Sequence, residues 1–330
     1  MIALMQLPAR AKEILFADLA ELIRSGMTFR ESLERISRHS RRLRGVVTKM
    51  LSAGNTPEEC FGVARSRFDE VDFSVLFAGI ESGRLEQSFV GLSAYYATVV
   101  ECRKQFFRGL AYPLFVFNLG VFIINIPTAV VGAGVGAYFR EVFQALMVFY
   151  LLLIGGYFLT RFLLTMVAMN PALQRRFRFI PLLGSLPYQL ALWRYTLISS
   201  LLIASGLSIY KALDMGAKGC KNALIQRATA EIIIASRAGG NLSDAFSETA
   251  AFPEEVTRAV TLGETAGRLD FQLASVASLM QREFISLVQF LAELAPKLIY
   301  ILIVLYLGFR AYGMMQGVSS EIHAIQQPLE

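Results

Sequence analysis

The sequence predicts an all-α, multi-pass membrane protein in which two duplicated cytoplasmic helical bundles are combined with three transmembrane helices. Three observations predict it: long uncharged apolar runs, an internal repeat, and helix-start and helix-stop residues with no sustained two-residue alternation. The chain has 330 residues, 55% of them hydrophobic and 18% charged, and a mean hydropathy of +0.49, more apolar than an ordinary soluble domain. With 25 Gly, 10 Pro and 3 Cys over that length, disorder, collagen-like structure and a disulfide scaffold are excluded. Net charge is +6, from 32 Lys and Arg against 26 Asp and Glu. Nucleic acid, anionic lipid and membrane charge asymmetry all suit that balance, so the positions of the charges decide.

In chain order, residues 1–109 form the first bundle. Its amino terminus, with charge following a very short apolar stretch, does not read as a cleavable signal. Ser25-Gly26 ends one helix, and Thr28 with Glu31 makes a capping box that starts the next. Thr56-Pro57-Glu58-Glu59 is another helix start. The basic run Arg35, Arg38, Arg41, Arg42 and Arg44 reads as a solvated helix face, with anionic lipid or an acidic partner behind it, and His39 within it as a solvated histidine. Residues 110–168 form a transmembrane hairpin. Between Arg108 and Arg140 lie 31 uncharged residues, whereas about 20 suffice to cross a bilayer core. The first span covers about 110–133, opened by Pro113 and kinked at Asn125 and Pro127. Gly132, Gly134, Gly136 and Arg140 fall in the connecting turn, and the second span covers about 142–168. Residues 169–295 form the second bundle, including the uncharged run Tyr195–Tyr210 as a buried helix. Pro296 opens the third span, 296–318, and 319–330 is an external tail.

Residues 1–109 hold 16 Lys and Arg and residues 169–297 hold 13. Arg103, Lys104 and Arg108 before the first span, Arg175, Arg176 and Arg178 after the second, and Lys297 at the third place both bundles and the amino terminus on the cytoplasmic side, with the carboxyl terminus external. Cys60, Cys102 and Cys220 are then free thiols in a reducing compartment.

The duplication carries most of the organisation. Leu22-Ile23-x-Ser25-Gly26 matches Leu202-Ile203-x-Ser205-Gly206 at an offset of 180. Gly79 to Glu86, with Gly83-Arg84-Leu85, matches Gly263 to Asp270, with Gly267-Arg268-Leu269, at an offset of 184. Pro113 matches Pro296 at 183. The partner of Tyr195–Tyr210 in the first copy carries Asp18, Glu21 and Arg24, so that segment belongs to the bundle and not to the membrane.

Catalytic chemistry is sparse. Neither of the two His, His39 and His323, stands in a zinc-like cluster, and no Gly-x-x-x-x-Gly-Lys-Ser/Thr stretch binds nucleotide phosphates. No catalytic, cofactor or metal residues are assigned, no cofactor is expected, and nucleic acid is not a direct partner. Arg161 and Arg310, near span ends, can snorkel, and spans without an acid make a poor ion path. Asn118 and Asn125 are interhelical hydrogen-bond donors.

This arrangement resembles the GspF/PilC family of type II secretion and type IV pilus inner-membrane platform proteins, over about residues 12–318. The twofold Ser-Gly turn followed by a hydroxyl residue, and the twofold Gly-x-x-x-Gly-Arg-Leu turn, carry the resemblance. Without a longer amino-terminal extension, the chain is similar to short-form members. Two departures stand out: Gly-Glu becomes Gly79-Ile80 in the first copy, and Glu293 and Pro296 are separated in the second. The resemblance implies a non-catalytic protein of the bacterial inner membrane that couples a hexameric assembly ATPase to pilin or pseudopilin extraction. Its implied partners are that ATPase, major and minor pilins, other inner-membrane assembly proteins, the lipid bilayer and further copies of itself in a homo-oligomer. Gly83, Arg84 and Glu86, with Gly267, Arg268 and Asp270, are the candidate partner interface, while Ser25, Gly26, Ser205, Gly206, Pro113 and Pro296 are structural. The competing classes are a small membrane transporter or channel and a membrane scaffold of another system.

Overall fold

The computed structural model describes residues 6–127, 134–169 and 184–326, and within them helices and turns account for the chain, with no strand. Helices α1 (Ala9–Arg24), α2 (Phe29–His39), α3 (Arg44–Leu51), α4 (Pro57–Val63) and α5 (Glu70–Glu81) precede the long α6 (Leu85–Ile124). After α7 (Gly134–Met169) the same order returns: α8 (Leu186–Ala204), α9 (Ile209–Cys220), α10 (Ala223–Arg237), α11 (Leu242–Ser247), α12 (Glu254–Ala266) and the long α13 (Leu269–Gln326). The duplicated unit is thus a succession of five shorter helices and one long one, with α7 as the unpaired addition.

The chain divides into two compact units, residues 1–102 with 164–287, and residues 103–163 with 288–330. In the first, the short helices of both repeats pack together. The turn residues behave as their chemistry requires. Gly26 and Gly206 both adopt φ +89°, and the following N–H of Met27 or Leu207 reaches back to the carbonyl of Leu22 or Leu202 at 3.1 Å, closing each helix with a left-handed glycine cap. Ser25 and Ser205 hydroxyls donate to the Leu22 and Leu201 carbonyls. The Thr28/Glu31 and Thr56/Glu59 capping boxes are both formed. Ser208 makes no side-chain cap, in keeping with Lys211 standing where Glu31 stands in the first copy. Segment 195–210 is not one helix: residues 195–204 belong to α8, with Tyr195, Ile198 and Leu202 fully buried, and after the Ser205-Gly206 turn Ile209 and Tyr210 already start α9.

One interaction in this unit escaped sequence reasoning. Lys12 is 1% exposed and Asp72 is 0% exposed. The Lys12 ammonium donates to Asp72 at 2.7 Å, to Asp69 at 3.0 Å and to the Tyr96 hydroxyl at 3.0 Å. Tyr96 donates in turn to the other Asp72 oxygen at 2.7 Å, and the Asp69 N–H donates to the Asp72 carboxylate at 2.7 Å. The network fastens α1, α5 and α6 together. It also touches the second repeat, through Lys221 on Asp69 at 3.4 Å and Arg194 on Tyr95 at 2.7 Å. At the repeat offsets, Lys12, Asp72 and Tyr96 correspond to Leu192, Val256 and Met280, all fully buried. The two copies therefore fill equivalent positions by opposite means.

In the second unit, Phe117, Val121, Val142 and Ile303 form a buried core, with the Phe117 and Phe149 rings stacked at 3.7 Å between centroids. Asn118 donates to the Tyr150 hydroxyl of α7 at 2.8 Å, as an interhelical donor should. Asn125 donates to the Val121 carbonyl of its own helix and also hydrogen-bonds Tyr306 of α13. Much of the apolar surface faces outward: Phe143 is 67% exposed, Leu152 69% and Phe309 80%. Among the described residues three helices are long and apolar enough to cross a membrane, Leu85–Ile124, Gly134–Met166 and Leu269–Phe309.

Helix limits differ from the expected spans. Pro113 and Pro296 do not begin a helix, because both lie inside α6 and α13, which begin at the Gly-Arg-Leu turns. A proline deletes one N–H and crowds the preceding turn, which bends a helix without ending it when strong helix formers flank it. A change of polarity marks where lipid-compatible surface begins and not where a helix begins. For the same reason Gly136, Arg140 and Glu141 lie within α7 and not in a turn, since α7 starts at Gly134 with φ +75°. Glu141 is thus an acid inside a membrane-length helix, lining a groove of about 580 Å³ with Phe117, Gln144 and Tyr306. Helix α13 continues through the segment expected as a tail, to Gln326. The regular part of α6 stops at Ile124, next to the expected kink at Asn125. Gly132, Arg175, Arg176, Arg178 and the side chains of Arg161, Arg310 and His323 lie outside the described residues.

Helices α6 and α13 also meet backbone to backbone in this unit. A Cβ on Gly109 would stand 3.0 Å from the Ala292 carbonyl oxygen.

Replacing Lys12 by Leu leaves Asp72 buried without its counter-ion, at an expected cost of about 3–5 kcal/mol. Combining Lys12→Leu with Asp72→Val and Tyr96→Met reproduces the second copy and regains most of that loss. Thermal unfolding of the detergent-solubilised protein checks both.

Candidate partner surface at the repeat turns

The paired turns joining α5 to α6 and α12 to α13 bring the sequence-predicted interface residues into two comparable settings. Their glycines are explained by the backbone. A Cβ on Gly79 would collide with the Ser88 side chain, and one on Gly263 would lie 2.8 Å from the Leu269 Cα, so each first glycine lets one helix press on the start of the next. Gly83 and Gly267 adopt φ +68° and +64°, the left-handed conformation a glycine cap supplies.

The charges separate the two turns. At the first, Arg84 donates to the Ala204 carbonyl at the end of α8, in the other repeat. Glu86 pairs with Arg24 at 2.7 Å, and Glu81 with Lys211 at 2.8 Å. Arg84 and Glu86 are therefore paired within the bundle unit, while Gly83 is exposed. At the second turn the Arg268 guanidinium lies 4.9 Å from the centre of the exposed Phe271 ring. Asp270 has no hydrogen bond or ion pair among the described residues, because Arg24, the partner of Glu86, corresponds to Ala204. Gly267, Arg268 and Asp270 thus border an open surface. Beside them is a cavity of about 520 Å³ lined by Ile203, Ile209, Tyr210, Leu242, Glu264 and Asp270.

Glu264 is a structural acid whose role the sequence reading passed over. Its carboxylate accepts the backbone N–H groups of Leu242 at 2.8 Å and Ser243 at 2.7 Å, capping α11 from outside. Burial raises its pKa, but the hydrogen bonds from Ser243 and Leu242 outweigh that and hold the carboxyl below its ordinary value. The signal was the Gly263-Glu264 pair. In the first copy the equivalent helix α4 carries its own Thr56/Glu59 box, so a carboxylate at Ile80 has no N-terminus left to cap. No three His, Cys, Asp or Glu side chains converge on a metal position among the described residues.

Duplicated helical units, three apolar helices and paired Gly-Arg-Leu turns define a multi-pass, repeat-built membrane protein. The sequence profile described as "Type II secretion system (T2SS), protein F" matches residues 15–132 and 196–316, one stretch per repeat, and the chain belongs to that family. It is 25% identical over 290 residues to the type II secretion system protein F of Aeromonas hydrophila, covering 81% of this chain and 75% of that one. It is 23% identical over 310 residues to the type IV pilus assembly protein PilC of Pseudomonas aeruginosa, covering 86% and 82%. A type II secretion system protein F of Vibrio cholerae is 24% identical over 297 residues, covering 82% and 72%.

Two measurements follow from this geometry. Because the folded pKa of Glu264 is depressed, the cap contributes above the ordinary carboxylate range and its contribution is lost as pH falls through the folded value. Amide-exchange protection factors at Leu242 and Ser243 should therefore drop on acidification, and at neutral pH in Glu264→Gln. Arg84→Ala should lower unfolding stability by about 1 kcal/mol, whereas Arg268→Ala should stay within about 0.5 kcal/mol.

Proposed function

We propose that this chain is a non-catalytic inner-membrane platform of a type IV pilus or type II secretion machine. In this reading a cytoplasmic hexameric ATPase supplies the work, and the platform passes movement to pilins or pseudopilins leaving the bilayer. Both bundles and the amino terminus face the cytoplasm, and the carboxyl terminus is external. Lipid, the other inner-membrane assembly proteins and further copies of the chain complete the surroundings.

The observation that carries the reading is the continuity of α6 and α13. Each starts at a Gly-Arg-Leu turn and runs as one helix into a stretch long and apolar enough to cross a membrane. A displacement applied near such a turn travels along hydrogen-bonded backbone with no loop to absorb it. Family membership and the relatives' roles in secretion and pilus assembly support the same reading. The chain lacks a phosphate-binding loop motif, which fits an engine on another polypeptide.

Deleting the gene should abolish surface filaments, DNA uptake or the secretion that the machine serves, with restoration by the wild-type copy. Intact filaments and secretion would reject the assignment. Orientation has a clean assay, because Cys60, Cys102 and Cys220 are free and buried and burial pushes the Cys220 thiol up to about 12. A cysteine introduced at Arg41 should react with an impermeant maleimide only after the cells are permeabilised.

A further inference from the structure

The duplication provides an internal standard for the cavity at the second turn, because the first copy has the equivalent place occupied. There, Phe29 packs against Phe61 at 5.8 Å and stacks on Phe89 at 6.3 Å between ring centres. Arg24, five residues earlier, neutralises Glu86 at 2.7 Å. At the repeat offsets Phe29 becomes Ile209 and Arg24 becomes Ala204. The ring and the cation are both missing, while the acid is retained as Asp270. What remains is the cavity of about 520 Å³, with Ile209 40% exposed at its edge and Asp270 on its wall. Arg268 does not take the cation's place, since its guanidinium lies over Phe271.

We propose that this cavity is a docking site for a segment of another polypeptide that inserts an aromatic ring between α9 and α11 and sets an arginine or lysine against Asp270. The occupant's chemistry follows from the two side chains that fill the equivalent place in the first copy. An unpaired carboxylate beside an apolar recess complements a basic residue next to a ring, and rings and arginines are the side chains that most often anchor interfaces. Asp270 lies in the first turn of α13, where a negative charge complements the helix dipole. The proposal stands apart from the platform reading, because it names the partner by chemistry alone.

The test uses the full-length protein in its own cells, with benzoylphenylalanine at Ser208, which lines the cavity, is exposed and makes no side-chain cap. Irradiation should link it to a second polypeptide, and the linked peptide, mapped by mass spectrometry, should carry an aromatic residue close to an arginine or lysine. Filling the cavity from within by Ala204→Arg with Ile209→Phe should lower the yield at least tenfold while the melting temperature holds or rises. Asp270→Asn alone should lower it about threefold, and serves should the filled protein fail to fold. Cross-links that persist in the filled protein or are indifferent to Asp270→Asn overturn the proposal. So do cross-links that map to a peptide without a basic residue, reach lipid only, or do not form. Cross-linking does not depend on filaments, so a normal filament phenotype on deletion removes the platform reading and leaves this one standing.

Discussion

An ammonium group withdrawn from water persists in a protein only where carboxylates and hydroxyls replace its whole hydration shell, and Lys12 meets that demand with three partners. Asp72 and Tyr96 come from α5 and α6 and Asp69 caps α5, so satisfying one charge fixes how α1 lies against both. The same residues and their neighbours reach across to Lys221 and Arg194. Stability is not the obvious return on such a group, since apolar packing of equal volume commonly does as well. The second copy demonstrates that alternative with Leu192, Val256 and Met280. Geometry is what the charged version adds, because a hydrogen-bonded cation tolerates fewer arrangements than a cluster of side chains that merely exclude water.

Once duplicated, two units folded side by side have no reason to keep identical surfaces. The first turn has spent its charges internally: Arg84 on the end of α8, Glu86 on Arg24, Glu81 on Lys211. The second keeps Arg268 and Asp270 but lacks counterparts of Arg24 and Glu81. Arg24 is replaced by Ala204, Phe29 by Ile209 and Glu81 by Thr265, and the corner these residues occupy in the first copy is open in the second. Divergence between repeats thus separates a structural copy from an exposed copy without altering the helix order.

Much of this was legible in the chain. The repeat, the Gly26 and Gly206 caps, the capping boxes at Thr28 and Thr56, the apolar runs and the burial of α8 all rest on local chemistry that acts within a few residues. Lys12 was visible in principle, since it shares a helical stripe with Leu15, Phe16 and Leu19, yet its partners are 57 to 84 residues away and no spacing rule reaches them. Helix ends failed at Pro113, Pro296 and Arg140 because hydropathy reports the solvent a surface suits, and the backbone continues through a change of solvent. The inequality of Arg84 and Arg268 was hidden for a related reason: identical motifs acquire different neighbours only when the chain is packed.

The approach of Gly109 to the Ala292 carbonyl has a consequence of its own. Pro296 has no N–H, so the carbonyl four residues before it, that of Ala292, is deprived of its usual helical donor. Gly109 leaves that oxygen room, since a Cβ at this position would stand 3.0 Å from it. Gly109 in turn stands four residues before Pro113, so each helix has its weakened turn at the place where it meets the other. A crossing secured between main chains, where no side chain can be repacked to move it, would act as a fulcrum: the two rods can tilt about it but resist sliding past one another.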